Sequence, residues 1–118
     1  MPERVHMTHE EYVQQVGGTA LDIANKAMSG EMSLLLAVRE INSALHGLPE
    51  LEEKIREADF LFLTGVSSEC DELPLGTERQ YWAPDSLLEK DLLAQSYEQR
   101  IREDILSALA RIADDLSK

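Results

Sequence analysis

"PDSLLEKDLLAQSYEQRIREDILSALARIADDLSK", residues 84–118, holds no glycine and, after its first residue, no proline. Leu88, Leu92, Tyr97, Ile101, Ile105, Ala108, Ile112 and Leu116 recur mostly three and four residues apart, the spacing that lines up side chains on one face of an α-helix. Pro84 suits the first helical turn, where its missing N–H costs nothing, and Asp85 suits the positive end of the helix. The stretch therefore predicts one helix of about 30 residues, roughly 45 Å long at 1.5 Å per residue. That is long for a chain of 118 residues. Such a helix either bends near Ser96 or packs its far end against another copy.

The segments before it read the same way. "THEE" at 8–11 places a hydroxyl at a helix cap with Glu11 three residues on, a capping box. Val13, Val16, Ala20, Ala24 and Ala27 then form a stripe, widened by Leu21 and Met28. Gly17 and Gly18 weaken that helix by about 1 kcal/mol each relative to alanine, so a close helix contact or a kink is expected there. Ser29 and Gly30 stop the first helix. A second runs from about Glu31 to His46 on Leu34, Val38, Ile41 and Leu45, and Gly47 ends it in the left-handed conformation with Pro49 close behind. His46 complements the dipole of its last turn. Residues 50–66, "ELEEKIREADFLFLTGV", read as a third helix with Leu51, Ile55 and Ala58 inward and an all-round apolar end at 60–66 that belongs in the core; a strand is the alternative for so short an apolar run. The fold expected is all-α, an antiparallel four-helix bundle in a single domain over 1–118, with residues 1–7 as a flexible tail.

Charge is the strongest global feature. Twenty-three acids stand against 11 bases, a net charge of −12 with neutral histidines, and the excess peaks over 67–91, where seven acids meet two bases. Such a surface repels nucleic-acid phosphates and anionic membranes and favours a basic protein partner; it also keeps a small protein soluble. The single cysteine, Cys70, fits a reducing compartment. No leader-like apolar segment opens the chain, and "FLFLTGV" at 60–66 is far short of the roughly 20 residues a membrane span needs. A soluble cytoplasmic protein without a cofactor is expected.

Familiar catalytic patterns are absent from the sequence: no glycine-rich phosphate loop, HExxH pair, zinc-spaced cysteines or serine elbow. His6 and His9 have metal-pair spacing but lie in the opening segment around the first cap, where an exposed tail is expected. The distinctive part is "SSECDELPLGTERQYWAP", residues 67–84, with the only cysteine and the only tryptophan of the chain. Glu69 and Asp71 flank Cys70 and favour its thiol form, so a structural role is expected. Glu69, Asp71, Glu72 and Glu78 supply hard oxygens but not the order of a calcium loop. Arg79 and Trp82 lie three apart. Either they anchor a partner, with the carboxylates steering it, or Trp82 fills the core between the third and fourth helices while Arg79 ties the loop to a carboxylate.

Ser68, Glu69, Asp71, Leu73, Pro74, Gly76, Arg79 and Trp82 resemble a segment of small bacterial helical proteins, S-E-x-D-x-L-P-x-G followed by Arg, Trp and a helix. The resemblance implies a fixed structural feature and carries no activity. The leading functional expectation is a non-catalytic acidic binding protein, such as an immunity protein or inhibitor covering the cationic site of a nuclease toxin through Glu69, Asp71, Glu72, Glu78, Arg79, Trp82 and Asp85. The alternatives are a metal-dependent or small-molecule-processing enzyme built on the 69–79 carboxylates with Arg79, and a structural homodimer joined through the last helix.

Overall fold

The computed structural model describes residues 7–118. His6, and with it the proposed histidine pair, lies outside the described residues, as does all of the expected tail except Met7.

Helix α1 spans His9–Met28. Half of the predicted capping box forms: Thr8 Oγ1 accepts from the Glu11 N–H at 3.1 Å, while Glu11 Oε1 accepts from the Thr8 hydroxyl, also at 3.1 Å, and not from its backbone N–H. Ser29 closes the helix, and Gly30, at φ +87°, turns the chain in a conformation that costs glycine little. Helix α2 spans Leu34–Leu45, three residues later than predicted at its start. The turn uses Glu31 and Met32, and Ser33 supplies the cap by accepting from the Leu36 N–H. His46 sits just past the helix, and Gly47 takes φ +86° as expected.

The predicted third helix is two. A four-residue helix α3, Pro49–Glu52, is separated from α4, Glu57–Glu69, by a turn that leaves Arg56 extended. Leu51, Ile55, Asp59, Leu63, Val66 and Cys70 are all buried. Their spacing of three and four runs straight across the break, so the periodicity could not reveal it. Two further expectations fail. Ala58 is exposed while Asp59 points inward, and 60–66 is only half buried, with Leu61 60% exposed. Both follow from α4 packing mainly against α2 and α5, which cover one side of the helix. After the 67–84 segment, which contains a 3-10 turn at Thr77–Tyr81, helix α5 runs unbroken over Pro84–Leu116.

Consecutive main helices are antiparallel. The start of α1 (Tyr12, Gln15) lines a groove with the end of α2 (Ser43, Ala44). Asn42 meets Thr64 across α2 and α4, and Arg111 near the end of α5 meets Asp59 near the start of α4. The ring closes where Ala27 at the end of α1 lines a groove with Glu98 and Arg102, while Gly17 and Leu21 share another with Leu116. The core lies inside this ring: Ala20, Ala24 and Ala27 of α1, Leu35, Val38, Ile41 and Leu45 of α2, Leu63 and Val66 of α4, and Ile105, Leu109 and Ile112 of α5. The α1 contribution is small-sided, which lets its backbone come close to its neighbours. Gly17 has the same use, because a Cβ there would stand 3.1 Å from Leu51 Cδ2. A Cβ at Gly18 would meet nothing within 4 Å among the described residues, and no packing reason there accounts for it.

The two ends of α5 differ. Ile105, Leu109 and Ile112 are fully buried, whereas Leu88, Leu92 and Leu93 are 63%, 58% and 54% exposed. Ser33 and Leu35, at the start of α2, are level with Ala94, Gln95 and Glu98. The N-terminal turns of α5 thus extend past the end of the bundle. One of the two expectations set the far end of this helix against another copy; among the described residues the end left without a covering neighbour is the near one.

Candidate functional site

The segment between α4 and α5 is an irregular strap anchored at three levels. Cys70 and Pro74 are fully buried, and Leu73 and Leu75 pack partly against the core. Glu78 forms the second anchor. Its Oε1 accepts from Arg39 Nη2 of α2 at 2.7 Å and from the backbone N–H groups of Leu75 and Gly76 at 3.2 and 3.1 Å. Arg39, and then backbone donors, favour the carboxylate and hold the Glu78 carboxyl down at about 2. Gly76 makes room for this, since a Cβ there would stand 3.0 Å from both Arg39 Nη2 and Glu78 Oε2.

Arg79 forms the third anchor. Its Nη1 donates to Asp91 Oδ1 at 2.6 Å and to the Pro74 carbonyl at 2.9 Å, and its Nη2 donates to Asp91 Oδ2 at 2.9 Å. The fork-to-fork geometry is that of a bidentate arginine–carboxylate pair, which fixes direction as well as distance. It ties the strap to the second turn of α5. The hydrogen bonds to Arg79 hold Asp91 below the usual carboxylate range. Asp91 carried no expectation from the sequence; it was legible only as an acid among acids.

The residues singled out from the sequence therefore separate into two sets. Glu78 and Arg79 face inward, but not toward each other: Glu78 is taken by Arg39 and Arg79 by Asp91. Glu69, Asp71, Glu72 and Asp85 are exposed, and none is in an ion pair with another described residue. Trp82 falls between, partly buried at the end of the 3-10 turn and outside the apolar cluster, so it does not fill the core between α4 and α5. Its neighbour Tyr81 is 83% exposed.

Cys70 is sealed in the core. Burial first of all pushes its thiol up to about 11, with Glu69 and Glu98 adding to the shift and Arg39 opposing it. An unreactive structural thiol is the result. Near the strap, Ser33, Leu35, Leu75, Arg79, Asp91 and Glu98 line an open groove of about 310 Å³, at the lower limit of what small-molecule sites occupy. Among the described residues no three of His, Cys, Asp or Glu converge on a point that would hold a metal ion. His9 instead meets Glu50 at 2.9 Å, and His46 stands exposed. Among the described residues no helix is long and apolar enough to cross a membrane.

At the opposite end of the bundle lies a second polar network, which the sequence did not signal. Asp59, 5% exposed, takes both Nε and Nη2 of Arg111 at 2.9–3.1 Å. Asp115 is buried beside Arg56, with Oδ2 3.5 Å from Arg56 Nε and without a hydrogen-bond partner for that oxygen among the described residues. Both carboxylates stand where α4 begins and α5 ends and join these helices; Asp59 and Arg111 also line an open groove of about 440 Å³ with Phe62, Asp104 and Ser107.

In comparisons with known proteins, no family model matches the chain, and no curated protein or solved structure matches it significantly.

Proposed function

We propose that the protein is a small acidic binding protein whose partner is a cationic protein docked on the exposed carboxylates at the end of α4. The observation that carries this reading is the division of the strap's acids. Glu78 is bound internally, whereas Glu69, Asp71 and Glu72, close in the chain and next to the buried Cys70, point their charge at solvent. A rigid strap presenting unneutralised carboxylates suits recognition of a basic surface, because the charge is pre-positioned and steers association. The overall surplus of acid extends the same field. An inhibitor or immunity protein covering the cationic site of a nuclease toxin is the concrete form.

The test is capture from the native host at low salt, followed by elution in a salt gradient, with the wild type beside Glu69→Gln/Asp71→Asn/Glu72→Gln and beside Glu78→Gln. A single basic protein is expected to elute at moderate salt, to be lost with the triple variant and to remain with Glu78→Gln when that variant is folded. Equal capture by wild type and triple variant, or none by either, defeats the reading.

A further inference from the structure

The exposed leucines at the start of α5 are not explained by an acidic binding face. Leu88 and Leu92 lie one helical turn apart, with Leu93 beside them, and the three are more than half exposed. The inner side of the same turns is covered: Arg79 clamps Asp91, and Ala94 packs against the core. What stays open is an outward strip on which Asp85, Leu88, Glu89, Leu92, Ser96 and Arg100 follow one another at helical spacing.

We infer that this strip pairs two copies of the chain, antiparallel, about a twofold axis passing beside Leu92 and Leu93. Charge complementarity selects the second copy as occupant. In an antiparallel pair centred between residues 92 and 93, each position meets the one equally far on the other side of the centre. Leu92 and Leu93 of the two copies then gather at the centre, flanked by Leu88, while Tyr97 stays turned toward its own core. Asp85 faces Arg100, twice, while Glu89 faces the uncharged Ser96. No acid on the strip is set against an acid, although the chain carries more than twice as many acids as bases. Arg100 stays available for this, since its guanidinium makes no ion pair with a described residue and rests 5.6 Å over the Tyr97 ring. Antiparallel helices also set each dipole against its opposite. An isologous contact of this kind is self-complementary by construction.

From Asp85 to Arg100 the strip is about 24 Å long at 1.5 Å per residue. A single helix face of that length buries less than the roughly 800 Å² per partner of a standard stable interface, so a weak, reversible dimer is expected, with dissociation on the order of 1–100 µM as the range to search. The pairing is independent of the proposed cationic partner, whose carboxylates at 69–72 are not on the strip.

Sedimentation equilibrium of the full chain from about 1 to 500 µM, which brackets that range, reads the association directly. A reversible monomer–dimer equilibrium is expected for the wild type. Leu92→Glu should weaken it by about tenfold or more, by placing two carboxylates at the centre, and Asp85→Lys and Arg100→Glu should each weaken it by about tenfold through like-charge contacts. Asp85→Lys/Arg100→Glu within one chain, which exchanges both charges, should recover most of the loss. All three positions are outside the core, and far-ultraviolet circular dichroism checks that the variants stay helical. A wild type that remains monomeric at 500 µM overturns the pairing and leaves the leucines to a different partner. A dimer indifferent to Leu92→Glu overturns it as well, and failure of the double exchange to recover association overturns the register.

Discussion

The two halves of α5 carry nearly the same leucine and isoleucine periodicity and have opposite fates. Around Ile105, Leu109 and Ile112 the stripe is sealed by α1, α2 and α4; around Leu88, Leu92 and Leu93 apolar side chains face water. The difference is in what lies opposite. The C-terminal half is held by burial, which is non-directional and scales with apolar area. The N-terminal half is held by the strap through directional contacts, Arg79 with Asp91 and Glu78 with Arg39.

That contrast can be broken most severely from the buried side. Leu109→Ala should cost about 2–5 kcal/mol in urea unfolding, the usual range for emptying a packed core site. A loss under 1 kcal/mol would mean that the C-terminal half is not the anchor. Next comes Asp59→Ala, which removes the hydrogen-bonded partner of Arg111 and should cost about 2 kcal/mol, since charged hydrogen bonds contribute more than neutral ones. Arg79→Ala should lower global stability only slightly, because the guanidinium is partly in water. Its larger effect is local: amides at 75–82 should exchange faster in hydrogen–deuterium exchange while those at 105–113 keep their protection. Uniform loss of protection would show that the two halves unfold as one.

Glu78 gives a finer test by pH. Its carboxyl lies at about 2 in the folded chain against an ordinary value of 4.5. A depressed folded value means that its stabilisation is complete above the unfolded value and is lost as pH falls from about 4.5 toward 2. Thermal unfolding followed over that window should show a shallower acid decline for Glu78→Gln than for the wild type, and parallel curves would remove the anchor. Smallest of all, Leu92→Ala should change the stability of the dilute monomer by less than about 0.5 kcal/mol, the range of exposed sites. A core-sized loss would place Leu92 in contacts that its exposure contradicts.

Local signals in the sequence were read correctly where one or two residues decide the conformation. Thr8 with Glu11, Gly30, Gly47 and Pro84 each act through their own backbone chemistry and needed no tertiary context. The antiparallel all-α bundle followed from them and from the stripes. The break at 53–56 was hidden because the buried positions keep helical phase through it, and nothing there is a glycine or proline. Exposure of Leu61, Leu88 and Leu92 was hidden because periodicity records which side chains share a face, not whether a neighbour arrives to cover it. At the site, the arginine-tied strap was legible as a type of contact, but its partners were not. Arg39 is 39 residues from Glu78, and Asp91 is one of seven acids over 67–91. Which acid stays free is decided by helices that meet only in three dimensions.

The sealing of Cys70 makes the chain its own clock. With one thiol, fully enclosed and held protonated near neutrality, an alkylating reagent can reach it only when the strap and the end of α4 open. The rate of modification then counts those openings one by one. Because Cys70 joins the core to the carboxylates on either side of it, any ligand that clasps those carboxylates would slow the clock without touching the sulfur.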